Sequence, residues 1–275
     1  MTILPVLGVG IGYRPEIHDH IMGNAEYIDW LEVITEHYIQ TVPEQAARAR
    51  QLRSHFPLIP HGIEMSIGSE NEVDPAYVNA ITEFTKTIEA PWFSDHLSFT
   101  QADNIALGQL TPVLRTAQNA EMIGRRARAV QERVGLPFLL ENITYYLDVE
   151  SELTESEFIT AVVQQADCGL LLDLTNIYIN SVNHGFDPFD FLAQLPLERV
   201  LQVHLAGGEW QGSIMIDSHA HPVNEEVWCL LEFVLSRSPV KGILIERDQN
   251  FQDDFSDLRE DLVRGRQMLA KSAEA

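Results

Sequence analysis

Cationic side chains and cysteine are both scarce in this 275-residue sequence. Only 18 Lys and Arg stand against 41 Asp and Glu, a formal net charge of −23 at pH 7. Binding to duplex nucleic acid without sequence preference rests on Lys and Arg neutralising phosphates, so no nucleic-acid partner is expected. The two cysteines, Cys168 and Cys229, exclude a disulfide framework, a thiolate zinc cluster and a CxxC redox pair. Each lies among apolar neighbours and reads as a buried, inert thiol. No run is apolar enough to span a bilayer, and the opening MTILPVLGVG lacks a basic n-region and a long apolar stretch. No membrane contact is expected, and a reducing cytoplasm is the expected compartment. The GVGIG segment is not followed by the helix-opening glycine of a dinucleotide fingerprint, and the Walker A pattern is absent.

What is present is a globular composition, 45% hydrophobic and 21% charged, in a chain long enough for a large core. Eight short apolar, β-rich runs recur, at 7–12, 29–34, 58–61, 92–95, 138–141, 169–174, 200–205 and 242–246. Amphipathic stretches lie between them, among them 43–54, 75–89, 112–134 and 155–165. Three of these open with Pro, whose missing N–H has no partner in a first helical turn. Continuous apolar strands such as GLLLDL and VLQVHL suit a parallel sheet covered on both faces. Eight strands alternating with helices over about 250 residues have the rhythm of a (β/α)₈ TIM barrel, expected as one domain over 1–275. A doubly wound open sheet is the alternative, because periodicity does not decide closure.

The polar residues fall at the strand ends. The third strand ends at His61, the fourth at Asp95 and His96, the fifth at Glu141 and Asn142. The sixth ends in LLDLTN (Asp173, Asn176), the seventh at His204, the eighth at Glu246 and Asp248. In a parallel barrel these carboxyl ends meet at one mouth, where active sites are built. After the seventh strand, IDSHAHPV alternates Asp217, His219 and His221, so in an extended segment Asp217 and His219 face one way and can share an ion. A lone strand-end His is more often structural, and a lone Asp or Glu more often caps a helix. The constellation differs, since several carboxylates in one pocket are costly without compensating cations. Imidazoles and carboxylates without thiolates suit iron, zinc or manganese, and at least eight such groups exceed the needs of one ion. A multinuclear metal site is the reading from chemistry alone. Blander readings apply elsewhere. Glu32 and Glu36 are expected at the rim, and His184 in a loop after the sixth strand. The Arg125, Arg126, Arg128 and Arg133 run is expected on a solvated helix face, and Trp92 and Phe93 in the barrel core.

The ordered set HGIEMSIGS, SDHLSF, LLENI, LLDLTNIYINSVNHG, VHLAGG, DSHAHPV and IERD resembles the multinuclear non-heme iron-dependent oxidative enzymes, whose best-known member acts in methanobactin biosynthesis. The resemblance runs from GVGIGYR to IERD. It implies a barrel of the xylose-isomerase-like type holding two or three iron ions, with dioxygen as co-substrate. It further implies a ribosomally made precursor peptide as substrate, modified at Cys, and a companion protein that recognises the peptide. The order of ligands also resembles the AP endonuclease branch of that superfamily. Carried over by position, His61 and His96 would bind one outer ion, with Glu141 bridging to a central ion completed by Asp173, His204 and Glu246. Asp217 and His219 would bind the third. Where the nuclease branch has His, this sequence has Asn176, which leaves Asn176 or His184 to complete the third site. Glu141, Asp173, His204 and Glu246 are the expected catalytic residues, with Asn142, Asp248 and His184 around them. Metal-assisted phosphodiester hydrolysis is the competing activity. It is disfavoured by the acidity of the chain. A sugar isomerase lacks its usual Lys at any strand end, and the intact ligand set speaks against a non-catalytic barrel.

Overall fold

In a computed structural model, residues 4–39, 42–103 and 105–274 are described. Eight strands form one closed parallel barrel: β1 (Gly8–Gly12), β2 (Trp30–Ile34), β3 (Leu58–Gly62), β4 (Phe93–His96), β5 (Phe138–Glu141), β6 (Gly169–Asp173), β7 (Val200–Leu205) and β8 (Gly242–Ile245). Each pairs with the next, and β8 returns to β1 in the register Gly8↔Gly242 to Ile11↔Ile245. The closed ladder excludes the open-sheet alternative. Around it run α1 (His18–Gly23), α2 (Pro43–Arg53), α3 (Pro75–Ile88), α4 (Ala117–Val134), α5 (Glu155–Ala166), α6 (Leu174–His184), α7 (Pro188–Ala193), α8 (Glu225–Leu235) and α9 (Ser256–Glu274). No helix among the described residues is long and apolar enough to cross a membrane.

The two-residue period of the strands sorts the barrel into layers. Residues of one phase, such as Leu31, Val33, Phe93, Leu140, Leu172 and Ile243, belong to the core cluster that also takes in the buried helix faces. Residues of the other phase form a separate inner cluster of Trp30, Ile59, Trp92, Leu139, Leu171 and Leu244. Trp30 fits there because β1 offers glycine opposite it: a Cβ on Gly10 would stand 2.6 Å from the indole. Two residues further along five of the same strands, in the same phase, come Glu32, His61, Ser94, Glu141 and Asp173. The apolar plug is therefore the floor of the polar mouth, and strand periodicity alone stacks one upon the other.

Several expectations change. The stretch at 112–134 is helical only from Ala117, because Thr116 caps α4 by accepting from Asn119 N. The residues before it form a β-hairpin of Phe99–Ala102 with Ile105–Thr111, and a second hairpin joins Gly207–Gln211 to Ile214–His221. Arg126 is buried rather than solvated. Its guanidinium donates to the carbonyls of Ile67, Ser69 and Glu70 and so ties down the loop after β3. Cys168 is buried but Cys229 is exposed, since on α8 it shares the outer face with Glu225 and Glu232.

Candidate metal centre

Strands β3 to β7 each deliver one donor near their carboxyl ends, and hydrogen-bonded neighbours aim several of them. His96 Nδ1–H donates to Gly62 O at 3.1 Å, and His61 Nδ1 hydrogen-bonds Ser94 Oγ at 2.8 Å. The opposite nitrogens, both Nε2, converge on Glu141 Oε2 at 3.2 and 3.3 Å. The other carboxylate oxygen, Oε1, lies 3.1 Å from His204 Nδ1. Glu141 thus faces the His61–His96 pair with one oxygen and His204 with the other. His204 turns Nδ1 inward because its Nε2–H donates to Glu32 Oε2 at 3.1 Å. Glu32 is in turn held by Gln202 Nε2 at 2.6 Å, and Gln202 by Trp92 Nε1 at 2.8 Å. The expected rim position of Glu32 is corrected: it is a buried member of β2 that orients His204. Glu36 instead anchors the loop after β3, accepting from Ile63 N, Glu64 N and Tyr77 OH.

Asp173 ends β6 and caps α6, with Oδ1 accepting from Asn176 N at 2.7 Å. Asn142 brackets it, accepting from Asp173 N and donating to Asp173 O, both at 2.9 Å. Asn176 spends its amide on the chain: Oδ1 accepts from Thr144 Oγ1, and Nδ2 donates to Asn142 O at 3.1 Å. His184 ends α6 rather than lying in a loop. Its Nε2–H donates to Tyr145 O at 2.9 Å, and its ring stacks on Tyr145. The second hairpin brings Asp217 and His219 over the mouth, with Oδ1 and Nε2 only 2.7 Å apart, while His221 turns away to Glu209. Glu246, just past β8, reaches 3.3 Å from His204 Nδ1 and 3.6 Å from His219 Nδ1.

Donor atoms within 4.8 Å of one another form three triads: His61–His96–Glu141, Glu141–Asp173–His204 and Asp173–His219–Glu246. Glu141 joins the first to the second, and Asp173 the second to the third. Five buried atoms here have no hydrogen-bond partner: Glu141 Oε2, Asp173 Oδ2, His204 Nδ1, Asp217 Oδ1 and His219 Nε2. Each such atom is costly unless something meets it, and a cation among oxygens and imidazole nitrogens would meet all five. The residues therefore fit metal ions, and with N and O donors alone they suit iron, manganese or zinc.

The electrostatics agree. Burial pushes the Glu141 carboxyl up, but His204, His96 and His61 outweigh it and hold the group at about 2. Asp173 goes the other way, raised by burial and then by the charges of Glu141 and Asp217. Burial depresses both His204 and His219, yet Glu32 with Glu141 in the first case, and Glu246 with Asp217 in the second, carry each well above the ordinary imidazole range. Such imidazoles hold protons that a bound cation would expel. A cavity of about 270 Å³ opens above, with His61, His96, His219 and Glu246 on one side and Ile34, Ile63 and Leu110 as its apolar wall.

Residues 8–270 match the family described as RiPP precursor modification enzyme MbnB/TglH/ChrH. The chain belongs to that family. A UPF0276 protein of Acaryochloris marina is 35% identical over 250 residues, covering 90% of each chain. One from Pseudomonas aeruginosa is 33% identical over 272 residues, 98% of this chain and 95% of its own. In fold, the chain resembles endonuclease IV from Thermus thermophilus at a TM-score of 0.60 and 16% identity, covering 94% of this chain and 98% of that one. A xylose isomerase domain protein from Planctomyces limnophilus gives 0.58 at 12%, covering 99% and 98%. The family is one of enzymes, and the chain shares the expected closed TIM-barrel fold with these two structures.

Sequence reasoning set Glu32 at the rim and passed over Ser94 and Arg14. Glu32 carries a signal, since Trp30-x-Glu32 has the phase of Ile59-x-His61. Arg14 carries none, because its partner Asp248 is 234 residues away.

Proposed function

We propose that this chain is an iron- and dioxygen-dependent enzyme that modifies a Cys of a ribosomally made precursor peptide, which a companion protein recognises. The observation that supports it most is the row of three N/O triads sharing Glu141 and Asp173, in a chain of a precursor-modifying family. Bound at these triads, iron would supply the electron transfer to dioxygen that no side chain here can perform. His61, His96 and Glu141 would hold one ion, Glu141, Asp173 and His204 a second, and Asp173, His219, Glu246 and Asp217 a third.

The chain's residues do the rest. Glu32 and Gly62 O fix the tautomers of His204 and His96, and Ser94 holds the His61 ring through Nδ1, so the donor nitrogens are already aimed. Asn142 and Asn176 lock the loop beneath Asp173. Ile34, Ile63 and Leu110 give the cavity an apolar wall, and its volume of about 270 Å³ suits a single residue with its flanking backbone. Glu246 and Asp248 line the same cavity and offer carboxylates to take the proton of an entering thiol.

The same donors would serve metal-assisted phosphodiester hydrolysis, the chemistry named for endonuclease IV. The net charge of −23 stands against a nucleic-acid substrate. Metal analysis separates the cases. Protein made in iron-replete medium is expected to be coloured and to carry at least two irons per chain. A single zinc and no iron, even after anaerobic reconstitution with Fe(II), would overturn the oxidative reading.

A further inference from the structure

Arg14 stands two residues beyond the last hydrogen-bonded pairing of β1 and folds back over Gly12, where a Cβ would lie 3.1 Å from its Nη1. Nη1 donates to Tyr13 O at 3.1 Å. Nε donates to Asp248 Oδ1 at 3.0 Å, and Nη2 to the same oxygen. The other oxygen of that carboxylate, Oδ2, accepts from His219 Nδ1–H at 3.3 Å, leaving His219 Nε2 beside Asp217 Oδ1. The loop after β8 grips the hairpin by its backbone as well. Asp248 N donates to His219 O at 2.9 Å, and the Gln249 side chain adds Nε2 to Ser218 O at 3.1 Å. His219 needs that grip, because its φ of 48° is left-handed, a region unfavourable for a residue with a Cβ.

We propose that Arg14 is a positioning residue for the third triad: through Asp248 it fixes the ring of His219 so that Nε2 faces the ion. This rests on the metal reading above. Two effects of Arg14 oppose each other. Its guanidinium lies 3.9 Å from Glu246 Oε1, and a cation there repels a bound ion. It also neutralises Asp248, whose side chain is 41% exposed and free to turn without it. The orienting effect prevails, because the repulsion is largely cancelled by Asp248 itself while, among the described residues, the next side-chain anchor on the ring's Nδ1 is Glu246 at 3.6 Å. A lysine keeps the charge but not the fork that grips Asp248 while also reaching Tyr13 O.

The test is anaerobic Fe(II) titration of the full metal-free chain, alone and as Arg14→Gln, Arg14→Lys and Asp248→Asn, with the thermal midpoint of each metal-free protein. The wild type is expected to take three equivalents. All three variants should keep two and bind the third roughly 10–100-fold more weakly, the usual cost of losing an outer-shell partner of a metal-bound His. The metal-free midpoints should stay together. An unchanged third step in Arg14→Gln overturns the proposal. Equal weakening of all three steps with a lowered metal-free midpoint overturns it too, in favour of a general structural role. A wild type that takes fewer than three equivalents sinks the third triad itself, and the proposal with it.

Discussion

Glu141 is the residue with the most neighbours to satisfy. One oxygen faces two imidazole nitrogens and the other faces a third, and its charge adds to burial in raising the Asp173 carboxyl. Replacing it with Gln removes an anion between two ion positions, so both ions lose a ligand and their mutual repulsion is less screened. Glu141→Gln is expected to lose two metals, with affinity falling by well over the ~10–100-fold of outer-shell changes. Asn176→Ala should lose at most one, because the Asn176 amide is bonded to Thr144 and Asn142 and its backbone N–H still caps on Asp173. Equal stoichiometry in the two variants, by elemental analysis after identical loading, would refute Glu141 as a bridge. At this scale the convergence of most donors was legible because they are strand-end His, Asp or Glu and the barrel gathers strand ends at one mouth, while Asp217 and His219 showed only by their alternation. Of their orienting partners, Asn142 and Asp248 were expected beside the site, whereas Glu32, though it shares the phase of Trp30, was expected at the rim. Arg14 meets Asp248 through closure of β1 on β8, which no local pattern announces.

At the scale of elements, the apolar runs marked every barrel strand to within two residues, since a buried parallel strand leaves little room for other sequences. Both hairpins escaped notice. The first is largely exposed and the longer strand of the second half-buried along its middle, so neither an apolar run nor clean alternation marks them, and the second was visible only as the Asp217–His219 alternation. The segment between β5 and α5 shows what else sequence could not reveal. There Glu155, in the first turn of α5, accepts from Tyr145 OH at 3.1 Å, and Arg115 lies over the Tyr145 ring. Burial pushes the Glu155 carboxyl up to about 7, and Tyr145 and Arg115 only partly counter it. The folded chain therefore keeps a proton that the unfolded chain gives up near pH 4.5. Stability from this group is full below that pH, falls as pH rises to about 7, and is level above. Glu155→Gln removes the titration but keeps an acceptor for Tyr145. The variant should match the wild type at pH 5 and exceed it at pH 8 by on the order of 1–3 kcal/mol, a few degrees in thermal midpoint. Calorimetry of the two metal-free proteins at both pH values checks this, and a gap no larger at pH 8 than at pH 5 would refute the buried, protonated Glu155.

The whole molecule joins a narrow, ligand-rich cavity to a broad rim, and the two set different parts of substrate choice. A cavity of about 270 Å³ accepts one residue, so it cannot read a peptide sequence. The rim has more to offer. Ile105 on the first hairpin, Tyr146 and Leu147 after β5, and Trp210 on the second hairpin are all more than half exposed, and all sit on loops at the carboxyl end of the barrel. Large apolar side chains left open at a site's edge are characteristic of contact with another chain. If the peptide and a companion protein bind there, the donors beneath stay closed to productive chemistry until a Cys enters. That arrangement also protects them, because iron that reduced dioxygen with no substrate present would oxidise its own imidazoles. Oxygen uptake by the iron-loaded chain is therefore expected to be slow alone, little changed by companion protein, and fast only with companion plus cognate Cys peptide. An oxygen-electrode trace of the three mixtures, followed by mass spectrometry of the peptide, measures it. Replacing the peptide's Cys with Ser should return the trace to its resting rate, since the hydroxyl is a far weaker acid than the thiol and a poorer iron ligand. Fast uptake without peptide, or cleavage of an abasic duplex with no change in peptide mass, would overturn substrate-gated oxidation.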